Sequence, residues 1–140
     1  MAITTTTHLN FRSQARDALS YYQSVFGGEI SLFTYEQAQR VKSPAENELI
    51  TWGQVLSDAG FHVMAYDVQP ERDWAPGRIP FFVSVRGKVA AEIQGYWDKL
   101  VEGSTIVEPI GPAGWSPLYG MVKDRFGVTW VLDVEVAYAG

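Results

Sequence analysis

A chain of 140 residues, 46% hydrophobic and 14% aromatic, carries enough apolar material for one globular domain or for two small halves that share a core. Its net charge of −5, with eleven Lys and Arg scattered rather than clustered, leaves no electrostatic footprint for nucleic acid or an anionic membrane. Cysteine is absent and no apolar run approaches twenty residues, which excludes disulfides, thiolate chemistry, a Cys-based zinc site and a membrane-spanning helix. The start, Met-Ala-Ile-Thr-Thr-Thr-Thr, lacks the basic and long apolar segments of a signal peptide, so a cytoplasmic location is expected.

In chain order, Ile3 to Phe11 reads as a strand in which Leu9 and Phe11 alternate with His8 and Asn10, one face toward a packed layer and the other toward something more polar. Gln14 to Phe26 carries Ala15, Ala18, Leu19, Tyr22, Val25 and Phe26 at helical three-four spacing. Ser13 is the expected N-cap and Gly27-Gly28 the stop. Ile30 to Tyr35 is predicted as a strand, Glu36 to Asn47 as a polar loop, Glu48 to Leu56 as a strand, and Phe61 to Tyr66 as its return after a turn at Ser57-Asp58-Ala59-Gly60. Pro70 to Gly77 has linker chemistry.

The order then repeats. Pro80 to Val85 is predicted as a strand, Val89 to Val101 as a helix with Ala90, Ile93, Tyr96, Trp97 and Leu100 on one face, Ser104 to Ile110 as a strand and Gly111 to Pro117 as a loop. The β-prone runs Tyr119 to Val122 and Val128 to Val134 flank a turn built on Lys123, Asp124, Arg125 and Gly127, which is a hairpin signature. Gly127 is expected at positive φ, and Asp124 is expected to hydrogen-bond its own turn. Two βαβββ units of similar length imply an internally duplicated domain.

Asp124-Arg125-Phe126-Gly127-Val128-x-Trp130 resembles the closing hairpin of the PhnB-like branch of the vicinal oxygen chelate superfamily, the glyoxalase and bleomycin-resistance proteins. Leu9-Asn10-Phe11 and the segment from Asp17 to Glu29 are similar to that branch's opening strand and helix, and Met64-Ala65-Tyr66-Asp67 extends the likeness. The resemblance implies an α+β fold: two βαβββ modules, about residues 1–69 and 78–140 with a linker at 70–77, curled into a β-sheet cup with the helices outside. It also implies a divalent metal held by His, Glu or Gln on the first and last strand of each module. Carried over, those slots fall at Thr6 (or Thr7), Met64, Pro80 (or Arg78) and Val131, which cannot supply three imidazole or carboxylate ligands. No metal and no cofactor are therefore expected.

The two histidines, His8 and His62, have two readings. They could ligate a metal with Asp133 or act as acid and base; the plainer alternative is that they are hydrogen-bonding residues lining the cup. Trp52 reads as a stacking floor for a ligand or as core. Trp97 and Trp130 read as core, and Trp74 and Trp115 as loop residues for a dimer contact or a lid. The expected lining is His8, Asn10, Trp52, His62, Tyr66, Phe82 and Asp133. These residues imply a metal-independent cup for a small organic molecule in a C2 homodimer. The alternative is a metal-dependent lyase, isomerase or dioxygenase-type enzyme using His8 and His62. A third reading is a structural interaction domain whose cup is filled by side chains. No Gly-rich nucleotide loop follows a strand, so the methyltransferase label that some PhnB-like sequences carry has no counterpart here.

Overall fold

Strand alternation and helical spacing become two units, Met1–Pro76 and Gly77–Gly140, in a computed structural model that describes residues 3–136. The first unit runs β1 (Thr7–Phe11), α1 (Ala15–Phe26), β2 (Glu29–Thr34), a short 3₁₀ turn (Pro44–Glu46), β3 (Ile50–Leu56) and β4 (His62–Asp67). Its sheet has the order β1-β4-β3-β2, with β1 parallel to β4 and the other pairs antiparallel. Leu9, Phe11, Val55, Val63 and Ala65 turn inward with Ala18, Leu19, Tyr22 and Val25 of α1, all buried. Burying one such large apolar side chain is worth about 1.5–3 kcal/mol. α1 can approach this closely because β3 has no side chain at Gly53: a Cβ there would stand 2.6 Å from Leu19 Cδ1.

The helix start differs from the expectation. Ser13 sits at φ 67° and α1 has no capping bond from its flanking side chains. Instead Asp67, 2% exposed at the end of β4, accepts the backbone N–H of Ala15 at 2.9 Å through Oδ1 and that of Ile50 at 2.9 Å through Oδ2. Tyr35 Oη donates to the Asp67 carbonyl at 2.7 Å. One buried carboxylate thus joins the first turn of α1, the start of β3 and the end of β4. The opening strand also begins later than its threonines suggest, because its partner β4 begins at His62 and pairs first as Val63 with Thr7.

The second unit runs β5 (Val83–Gly87), α2 (Ala90–Leu100), β6 (Thr105–Ala113), β7 (Ser116–Lys123) and β8 (Thr129–Val134), in the sheet order β5-β8-β7-β6. β5 starts at Val83, not Pro80, since β8 offers its first partner at Trp130. The expected loop at Gly111 to Pro117 is mostly strand, and β6 and β7 meet in a turn at Gly114-Trp115. Pro109 and Pro112 survive there because β6 is an edge strand with register shifts, where a missing N–H costs no ladder bond. Ile93, Trp97 and Leu100 are the buried residues of α2, while Ala90 is exposed and Tyr96 only half-buried.

The closing hairpin forms as its residues dictate. Gly127 has φ 90°. Asp124 Oδ1 accepts from the N–H of Phe126 (2.8 Å) and Val128 (3.0 Å), and its Oδ2 accepts from the fully buried Trp130 Nε1 at 2.8 Å.

Candidate functional site

In the first unit, register puts Leu9, Phe11, Val63, Ala65, Gly53 and Val55 on the helix side, so the residues between them share the other, open face. His8 and Asn10 from β1, His62, Met64 and Tyr66 from β4, Trp52 and Gln54 from β3 and Phe33 from β2 therefore lie on one surface. The strand period of two does all of this sorting.

Side chains on that face are tied together. His62 Nε2 lies 2.8 Å from Gln54 Oε1 and Nδ1 3.1 Å from the Thr6 hydroxyl, so both ring nitrogens are hydrogen-bonded. Trp52 Nε1 donates to Met64 Sδ at 3.3 Å, and its ring meets Phe33 at 6.1 Å between centroids. His8 is exposed and leans on the Tyr66 ring at 5.4 Å. Trp52 is half-buried on the open face, so it belongs to this wall and not to the core. Trp97 and Trp130 are core, at 4% and 0% exposed.

Asn10 is exposed, and its backbone carbonyl accepts from Trp74 Nε1 at 3.1 Å. Arg12 donates to the carbonyls of Pro70 (3.3 Å) and Arg72 (2.7 Å). Residues 70–74 are thus pinned along β1, and Trp74 is a fastening inside the first unit. Trp115, 55% exposed in the β6–β7 turn, meets Tyr119 edge-on at 5.1 Å.

Of the expected lining residues, Phe82 and Asp133 fall in the second unit. Phe82 precedes β5 instead of lying within it. Asp133, 6% exposed, accepts from Arg86 Nε at 3.1 Å. Together with Ile79, Met121 and Thr129, Phe82 lines a cleft of about 370 Å3 whose other walls include Arg78, Val107 and Lys123.

These residues do not fit the metal that the superfamily implies. Both ring nitrogens of His62 are engaged, Met64 sulfur already accepts a bond, and Asp133 is neutralised by Arg86. Among the described residues no group of three His, Asp or Glu side chains is placed to hold an ion. Burial raises the phenols of Tyr35 and Tyr96 above the ordinary tyrosine value, and a hydrogen bond from Lys42 lowers the Glu71 carboxyl; none of the three is on the open face of the first unit's sheet.

Sequence reasoning missed Gln54 and Phe33. Gln54 stands two residues from Trp52 in one strand, so alternation alone would have put it on the same face.

The architecture matches solved structures along nearly its whole length. Protein PA1353 from Pseudomonas aeruginosa superposes with a TM-score of 0.82 at 26% identity, covering 96% of this chain and 98% of that one. A PhnB protein from Bacillus cereus gives 0.69 at 22% identity, with 95% and 100% covered. A glyoxylase/bleomycin resistance protein/dioxygenase domain from Frankia sp. EAN1pec gives 0.69 at 8% identity, with 97% and 99% covered. The fold is therefore the α+β glyoxalase-like fold. Within it, the chain belongs to the PhnB-like family described as 3-demethylubiquinone-9 3-methyltransferase, whose model matches residues 3–132. No helix among the described residues is long and apolar enough to cross a membrane.

Proposed function

We propose that this chain is a metal-independent binding protein for a small organic molecule, held on the open face of the first unit's sheet. Trp52, Phe33, Tyr66 and His8 supply the rings, and Asn10 and the Gln54 amide, which His62 orients, the polar contacts. The observation that carries this reading is the Thr6–His62–Gln54 chain: it uses both imidazole nitrogens, where a metal would need a free lone pair. Rings with a few fixed polar groups between them suit a small planar ligand. An acid–base enzyme using His8 and His62 has less support, since His62 is saturated and His8 is exposed against Tyr66. A homodimer is part of the proposal, supported by the exposed apolar side chains Leu56 and Trp115; a monomer by light scattering at micromolar concentration would remove it.

Thermal melts against a panel of small aromatic and heteroaromatic compounds, each with and without a chelator, test the proposal. A compound that raises Tm equally in chelator, and no longer does so in Trp52→Leu, is the expected result. Stabilisation that disappears with chelator would contradict it.

A further inference from the structure

The corner beside the hairpin is built differently in the two units. In the first, Thr6, His62 and Gln54 close it with hydrogen bonds. In the second, the matching register positions hold Phe82, Thr129 and Met121. A ring, a hydroxyl and a thioether cannot rebuild that chain, because only the hydroxyl is a strong donor. The corner is left as the 370 Å3 cleft, within the size range of small-ligand sites.

The cleft's chemistry is one-sided. Ile79 and Phe82 are 65% and 42% exposed, and Val107 and Met121 complete an apolar floor. The charged lining residues are Arg78 and Lys123, with no Asp or Glu among the cleft residues. Neither cation forms a salt bridge among the described residues. This is a local reversal of sign in a chain of net charge −5.

We propose that this cleft binds an amphipathic organic anion, an aromatic carboxylate whose ring covers Phe82 and Met121 and whose carboxylate lies between Arg78 and Lys123. Guanidinium matches carboxylate as a planar two-pronged donor, and the Lys123 ammonium adds a point charge. The ring gains a sulfur–aromatic contact with Met121 and takes exposed apolar surface out of water. Every residue that lines this cleft belongs to the second unit.

Calorimetric and NMR titrations of the full chain with naphthoate, and with neutral naphthamide, test this at matched ionic strength. Naphthoate is expected to bind once per chain, moving the Met121 and Val107 methyl signals, and naphthamide to bind at least about tenfold more weakly. Arg78→Gln and Lys123→Gln change exposed side chains, so their melts serve as folding controls. Each is expected to weaken naphthoate by roughly three- to tenfold, and Trp52→Leu to leave it unchanged. Inorganic phosphate, which lacks the apolar body, is expected not to compete. Five results would overturn the proposal: no binding at millimolar naphthoate, equal affinity for the amide, competition by phosphate, loss of binding in Trp52→Leu with signals moving at Met64, or naphthoate converting a dimer to monomers. The fourth would move the ligand to the first unit's face and leave the reading proposed for that face standing.

Discussion

The two units share a plan but anchor it at opposite ends. In the first, the buried Asp67 ties the start of α1 to the start of β3, while the hairpin is held more lightly: Ser57 Oγ accepts from the N–H of Phe61 at 3.1 Å. In the second, the position matching Asp67 is Val134, and α2 starts with no side-chain cap. Its anchoring carboxylate is Asp124, which occupies the hairpin position of Ser57. What both units keep is space. Gly53 and Gly120 match in register, and a Cβ at Gly120 would come within 2.8 Å of the Trp97 ring, as one at Gly53 would of Leu19. Gly60 and Gly127 both turn their hairpins at positive φ. The polar anchors are therefore interchangeable between ends, whereas helix–sheet approach and turn geometry are not.

If that division is right, the largest effect belongs to Asp67→Ala. It strands two buried N–H groups and loses two charge-assisted bonds, an expected cost of about 3–5 kcal/mol in denaturant melts. A cost under about 1 kcal/mol would mean α1 and β3 do not depend on it. Asp124→Ala is expected next, at about 2–3 kcal/mol, because its turn N–H groups regain water while the buried Trp130 Nε1 loses its 2.8 Å bond to the carboxylate. Gly127→Val is expected to cost about 1–2 kcal/mol; no atom lies within 4 Å of the added Cβ, so backbone strain at φ 90° is the whole penalty. A variant that melts like the parent would show the turn can relax. Ser57→Ala is the smallest, about 1 kcal/mol or less, since a neutral hydroxyl bond near the surface is lost. A Ser57→Ala cost equal to that of Asp124→Ala would break the asymmetry between the hairpins.

Much of this plan is legible in the sequence. Leu9 and Phe11 alternating with His8 and Asn10 give the two faces of β1, the three-four spacing gives the buried stripe of α1, and Asp124 with Gly127 gives the hairpin. Local chemistry decides each of these. The remainder depends on partners far along the chain. Nothing near Ser13 says that Asp67 will take its capping role, and β1 and β5 begin where β4 and β8 begin to pair with them, whatever the β-propensity of Ile3 to Thr6 or Pro80 to Phe82. Pro109 and Pro112 suggest a loop until β6 is known to be an edge. The open face follows the same rule: alternation puts His8, Trp52, His62 and Tyr66 together, but the saturation of His62 needs the lateral order of the strands, which brings Thr6 and Gln54 to its two sides.

The central claim, that the first unit's face works without a metal, is tested most directly by elemental analysis after dialysis against zinc, nickel and manganese, read beside melts with and without each ion. The account predicts no stoichiometric metal retained and no shift in Tm, because His8 alone, with both nitrogens of His62 engaged, cannot offset the dehydration of a divalent ion. About one equivalent of metal per chain, lost in His8→Ala and His62→Ala, would contradict it.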